Sequence, residues 1–287
     1  MLNTFISEHN TYLTKDDFEK LSRFVYSQCG IKMPPIKKTM LETRLKKRLK
    51  ATGLSTFPDY IHYLFSSKGL TEELVHMIDV VTTNKTDFFR EPAQFTFLAQ
   101  KALPELAMHF GIGVEKRLKV WSAGCSTGEE PYTLAVVLSE FARSFPKYDY
   151  SILATDISTR VLEAAMTGIY DTERIAVIPI ELKKKYFLKG KDSQRDKVRV
   201  TNELRRQVLF RRLNFMDDDY KLVEKQDIIF CRNVIIYFDK DTQERIIKKL
   251  CDLLIPGGYM FLGHSETILK IDIPMEQVAP STYKKFK

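Results

Sequence analysis

VWSAGCSTGEEPY, residues 120–132, is an apolar strand that runs into a turn of small residues and then into a helix. LATDIS, residues 153–158, is a second apolar strand, and it ends in an acid, Asp156. Together they have the logic of a nucleotide-binding α/β domain: a main-chain turn cradles one end of a cofactor, and a carboxylate accepts hydrogen bonds from ribose hydroxyls. The turn Gly124-Cys125-Ser126-Thr127-Gly128 is followed at once by Glu129 and Glu130. Carboxylates at a helix N-terminus repel a pyrophosphate, so the site suits a cationic cofactor without phosphates, and S-adenosylmethionine is one.

Outward from this core, strands alternate with helices. Strands are expected at 118–123, 150–156, 226–231 and 259–263, and helices at 129–145, 158–167 and 240–253. Such alternation builds a largely parallel sheet with helices on both faces. Between 168 and 215 the rhythm breaks. Residues 198–200 and 207–215 read as short antiparallel strands, hence a small β insertion. Residues 276–286 read as two short strands around Pro280, and Pro104 is expected to split a helix over 92–110.

Residues 1–80 read as helices over 16–28, 36–50, 57–66 and 72–81, with Ser67-Lys68-Gly69 as a break and Gly30 and Gly53 as stops. Leu41, Leu45 and Leu49 mark a buried stripe. Lys37, Arg44 and Arg48 fall on an adjacent face. The expected division is therefore a helical domain over 1–81, a linker over 82–91 and an α/β domain over 92–287, with the insertion at about 168–213.

The chain of 287 residues is 44% apolar and 29% charged, an ordinary globular composition. No apolar run is long enough to span a membrane, and MLNTFISEHN lacks the pattern of a signal peptide. The four cysteines are scattered without a C-x-x-C pair, which speaks against a metal site and for reduced thiols in the cytoplasm. The net charge of +8 is concentrated: residues 31–50 carry eight Lys/Arg against one acid, and 181–212 carry twelve against four. Patches of this kind suit acidic protein surfaces or nucleic acid, or are simply solvated faces.

Two further blocks complete the pattern: TTNKTDFFRE at 82–91 and FCRNVIIYF at 230–238. With PGGYMFLGHSE at 256–266 and the basic RLKKRLKATGL at 44–54, the series resembles the chemotaxis receptor methyltransferases, the CheR family, over nearly the whole chain. The resemblance implies an all-helical N-terminal domain before a Rossmann-like methyltransferase domain with a small antiparallel β-subdomain. It also implies methyl transfer from S-adenosylmethionine, leaving S-adenosylhomocysteine, to glutamate side chains on the cytoplasmic helical bundle of chemoreceptors.

Carried onto this sequence, the family's cofactor site would comprise Asn84, Thr86, Arg90, Glu130, Asp156, Asn214, Phe215, Arg232 and Asn233. Asp156 would bind the ribose; its plain alternative is a helix N-cap. Glu130, rather than Glu129, would meet the ammonium of the methionine moiety. Arg90 is suited to the methionine carboxylate or to the substrate glutamate. Asn214 and Phe215 would border adenine. Arg232, Asn233 and Tyr237 follow the strand 227–231, at the carboxyl edge where α/β ligands bind. Glutamate is already ionised at neutral pH, so no general base is required. Tyr237 is then the expected orienting group, with Arg90 near the methyl donor. Lys37, Arg44 and Arg48 would dock the receptor, and a receptor tail would add to the β insertion, although GKDSQRD at 190–196 has one glycine where many members carry a glycine-rich loop.

Two rivals predict other signatures. A nucleic-acid methyltransferase would carry Asn-Pro-Pro-Tyr or Pro-Cys, whereas this chain has Asn-Val-Ile-Ile-Tyr at 233–237. A non-catalytic receptor-binding scaffold would not need Asp156, Glu130 and Arg232-Asn233 together.

Overall fold

The computed structural model describes residues 12–145, 147–268 and 271–286. The start MLNTFISEHN, read above for a leader, lies outside them. By contacts the chain divides into one unit of residues 1–83 with Tyr237–Asp239, and a second of 84–236 with 240–287.

The first unit is helical: α1 (Lys15–Cys29), α2 (Lys38–Thr52), α3 (Phe57–Phe65), α4 (Ser67–Glu72) and α5 (Leu74–Val81). Leu41, Leu45 and Leu49 are buried as their spacing requires, and so are Phe18, Leu21, Phe57, Tyr60, Leu64 and Met77 of the same unit. The expected break at 67–69 is instead the first turn of α4. Ser66 caps it by accepting from Gly69 N at 3.0 Å, so the serine expected to end the helix 57–66 is an N-cap.

The second unit begins with α6 (Pro92–Phe97), a π turn (Leu98–Ala102) and α7 (Leu103–Phe110). Pro104 lacks the N–H that an α turn needs, and the turn just before it widens rather than breaking the helix. Then come β1 (Leu118–Ala123), α8 (Glu129–Ala142), β2 (Tyr150–Asp156) and α9 (Thr159–Thr167). The insertion holds β3 (Ile169–Asp171), α10 (Ile180–Tyr186), β4 (Phe187–Lys189), β5 (Lys197–Val200) and α11 (Asn202–Arg206). The chain closes with β6 (Val208–Arg212), β7 (Gln226–Cys231), α12 (Lys240–Leu253), β8 (Leu254–Leu262), β9 (Met275–Ala279) and β10 (Thr282–Lys285).

The main sheet runs β6-β2-β1-β7-β8-β10-β9, and β3-β5-β4 form a small antiparallel sheet. This corrects one expectation. The run at 207–215 does not belong to the insertion, because β6 pairs in parallel with β2, Asp156 opposite Arg212. The strands β1, β2, β7 and β8 are mutually parallel and nearly continuously apolar, as burial on both faces demands. From β1 the order goes to β2 and β6 on one side and to β7 and β8 on the other. The switch point therefore lies between the carboxyl ends of β1 and β7, where open α/β sheets bind ligands.

Among the described residues no helix is long and apolar enough to cross a membrane. All four cysteines are buried free thiols. Burial pushes the Cys125 and Cys231 thiols well above their usual range, so both behave as small core residues.

Candidate cofactor site

At the end of β1 the chain turns sharply. Gly124 N and Cys125 N both donate to the carbonyl of Thr155, at 2.8 and 2.9 Å, which ties the turn to β2. Gly124 has φ +89°, and a Cβ there would overlap the Val234 side chain, so only glycine fits between the loops after β1 and β7. Ser126 N donates to Asp156 Oδ2 at 2.9 Å, and Ser158 N to Oδ1 at 2.9 Å. Asp156 is thus held by main-chain N–H groups from both sides. A carboxylate offers about four acceptor positions, so this anchoring is compatible with accepting from ligand hydroxyls as well.

The expected residues of the 82–91 segment reach the site through their carbonyls. Asn84 O accepts from Ser126 Oγ at 2.9 Å, Thr86 O from Arg174 at 2.7 Å, and Arg90 O from Arg232 Nη1 at 2.7 Å. The Arg90 side chain itself donates to Lys85 O at 3.2 Å. Asn214 and Phe215 follow β6. Asn214 Oδ1 accepts from Met216 N at 3.0 Å, and Phe215 is buried with its ring 6.0 Å from that of Tyr220. Leu213 N donates to Asp156 O at 2.9 Å, which brings this segment beside the end of β2.

Arg232 is the centre of a buried polar cluster. Its Nε donates to Glu130 Oε2 at 2.7 Å, and Nη1 to Gln94 Oε1 at 2.9 Å and more loosely to Glu91 Oε2 at 3.5 Å. Ser122 Oγ donates to the other Glu130 oxygen at 2.7 Å. The guanidinium lies over Phe95 and Phe230, at 5.1 and 5.6 Å from their ring centroids. Glu91 sits at φ +59°, an unusual backbone for a glutamate, and its Oε1 accepts from His264 N at 3.3 Å. With the imidazole of His264, whose Nε2 lies 3.8 Å from Glu91 Oε2, unprotonated, one cation and two carboxylates leave this cluster with a surplus negative charge.

Glu129, set aside above in favour of Glu130, is itself built into the site. It is 1% exposed, accepts from Thr127 Oγ1 at 2.7 Å, and is ion-paired with Arg174 of the insertion. Asn233, at φ +58°, donates its N–H to Glu266 Oε2 at 2.8 Å. Sequence reasoning missed Glu91, Gln94, Ser122, Arg174 and Glu266. Glu91 and Glu266 stood inside quoted motifs as acids beside a proline and a glycine turn; Arg174 carried no signal.

Tyr237 groups with the helical unit. Its carbonyl accepts from Lys32 N at 2.9 Å, and the Lys37 ammonium lies 5.5 Å from its ring centroid. The expected docking face of Lys37, Arg44 and Arg48 is not one free face. Lys37 belongs to a 3-10 turn (Pro35–Lys37) before α2, and burial, then Arg44, lower its pKa. Arg44 Nη1 donates to the carbonyls of Val81 and Thr82, each at 2.8 Å, at the end of α5. Arg48 makes a bidentate pair with buried Glu73, at 2.7 Å for both bonds. The exposed cations of α2 are Lys46, Lys47 and Lys50.

The donor set fits S-adenosylmethionine. Asp156 and the Glu91–Arg232–Glu130 cluster present negative charge to a cofactor that carries a sulfonium and an ammonium and no phosphate. Among the described residues no group of His, Cys, Asp and Glu could hold a metal ion.

Comparison with known proteins agrees. Residues 16–82 match the family model "CheR methyltransferase, all-alpha domain", and residues 84–284 match "CheR methyltransferase, SAM binding domain". A chemotaxis protein methyltransferase of Borreliella burgdorferi is 41% identical over 96% of this chain and 96% of its own. Chemotaxis protein methyltransferase 2 of Pseudomonas aeruginosa is 38% identical over 95% and 94%. The Escherichia coli chemotaxis protein methyltransferase is 36% identical over 91% and 87%. The chain belongs to the CheR family of S-adenosylmethionine-dependent methyltransferases.

Proposed function

We propose that this enzyme esterifies glutamate side chains on the cytoplasmic helical bundle of chemoreceptors, in the cytoplasm, as an adaptation step of chemotaxis. The observation that carries the reading is the pair of carboxylates, Glu91 and Glu130, on the single guanidinium of Arg232, at the switch point of the sheet. When bound, S-adenosylmethionine supplies an electrophilic methyl group on a sulfonium. Asp156 would accept from the ribose hydroxyls, and Asn214 and Phe215 would border the base. Glu130, expected to meet the ammonium, accepts from Arg232 and Ser122 on its two oxygens, so it would fix Arg232 while Glu91, more loosely paired, would meet the ammonium. Arg90, with Asn84 and Thr86, closes the methionine end, and Asn233 lines the crevice beside Arg232. Tyr237 orients the glutamate carboxylate, a neutral donor that leaves the nucleophile less masked than a full cation would. No proton is removed, so alignment is the main task.

Docking on the acidic receptor surface is assigned to Lys46, Lys47 and Lys50, because Arg44 and Arg48 are engaged within the helical unit. A receptor tail would add to the open edge of β4, which pairs with β5 alone in the small sheet. The test is labelled-methyl transfer to a purified receptor cytoplasmic fragment, to RNA and to DNA. Label in the receptor alone, released by mild alkali, supports the ester. Alkali-stable label in nucleic acid overturns it.

A further inference from the structure

We propose that Glu266 is a positioning residue for the cofactor crevice, a clamp that fixes the loop after β7 against the turn after β1. Glu266 is 5% exposed, and its carboxylate gathers four main-chain N–H groups. Oε2 accepts from Gly263 N at 2.7 Å and Asn233 N at 2.8 Å; Oε1 accepts from Val234 N at 2.9 Å and Ile236 N at 3.3 Å. Three of the four donors lie in the segment that follows Arg232 directly. Four donors converging on two oxygens favour the acceptor-only, ionised carboxylate, against the burial that raises its pKa.

What the clamp holds is a strained piece of chain. Asn233 sits in the left-handed region at φ +58°, a conformation that costs free energy unless its surroundings impose it. Val234, held by Glu266 through its N–H, presses its side chain on Gly124, where a Cβ would overlap it. The position of the β7 loop and the width of the crevice beside the turn Gly124–Gly128 are thereby set by one carboxylate. Gly263 shares in this. A Cβ there would come within 2.6 Å of Asn233 Nδ2 and 2.9 Å of Glu266 Oε2, so the Gly-His-Ser-Glu run works as a unit.

The inference rests on the reading that Arg232 and Asn233 border the cofactor, and calorimetry separates the two. S-adenosylhomocysteine is titrated into the full-length wild type, Glu266→Gln and Gly263→Ala. Glu266→Gln turns one acceptor into an NH2 that faces N–H donors; Gly263→Ala displaces the clamp and keeps its charge. The expected result is binding to the wild type and a dissociation constant at least about tenfold higher in each variant, the scale of a lost charge-assisted contact, at unchanged stoichiometry. A merely structural glutamate would lower the fraction of binding-competent molecules and leave their dissociation constant at the wild-type value. That outcome in either variant overturns the clamp, and should Glu266→Gln not fold, Gly263→Ala decides alone. A wild type that does not bind takes the cofactor reading down, and the clamp with it.

Discussion

Two arginines, half-buried Arg48 in one unit and buried Arg232 in the other, do different work. Arg48 meets one carboxylate, Glu73, bidentately, and Tyr60 OH completes the group by donating to Glu73 at 2.8 Å. Burial and Glu73 drive the Tyr60 phenol far above its usual pKa, which keeps it a donor. Charge is balanced and every strong contact is short. Arg232 meets two carboxylates, one tightly and one at 3.5 Å, and charge is left over. A closed pair fastens α2 to the residue that precedes α5. An unbalanced one, at the carboxyl edge of a parallel sheet, has capacity for a cationic ligand.

The largest effect should come from Arg232→Ala. It strands Glu130 and Glu91 in the interior, and breaking such a pair costs about 3–5 kcal/mol. Urea unfolding should register that loss, and calorimetry should find no binding of S-adenosylhomocysteine by the folded fraction. Arg48→Ala sharpens the contrast. It strands Glu73 and should cost about 3 kcal/mol, but the cofactor dissociation constant should stay at the wild-type value. A large change in that constant would erase the distinction between the clusters.

Glu91→Gln removes only the surplus charge. Stability should change little, while cofactor binding weakens by about 1.5 kcal/mol, the low end for a hydrogen bond to a charged group. Equal binding would mean that Glu91 merely braces Arg232.

A further effect concerns a buried acid outside both clusters. Asp227, 7% exposed, accepts from Lys119 N at 2.6 Å, and burial, opposed by that bond, raises its pKa from 3.8 to about 6. The folded protein therefore holds this proton more tightly than the unfolded chain. Asp227 makes stability decline as pH climbs from 3.8 to about 6, and its contribution is level above that. Asp227→Asn keeps an acceptor for Lys119 N and should flatten the decline in urea unfolding across that window.

The same contrast explains what the sequence could tell. The strands 118–123, 150–156 and 226–231 and the helix 240–253 were legible to the residue, because central parallel strands and amphipathic helices write their burial into local pattern. The run at 207–215 was misassigned because the pattern of a short strand does not name its partner, and its mate β2 lies some fifty residues earlier across the whole insertion. Asp156 and Arg232 stood out as polar residues at the ends of apolar strands. Arg44 and Arg48 looked free for the opposite reason: helical spacing shows which face a side chain leaves from, not that Glu73 or the carbonyls ending α5 will meet it. Glu91, Gln94 and Arg174 likewise act through partners 45 to 141 residues away, which no local pattern records.

The most direct test of the glutamate-ester reading is the acceptor itself. Purified enzyme and labelled S-adenosylmethionine are incubated with a receptor cytoplasmic fragment, and with the same fragment whose surface glutamates are changed to glutamine. The account predicts alkali-labile label on the first and none on the second. Equal labelling of both fragments, or label that survives alkali, would contradict it.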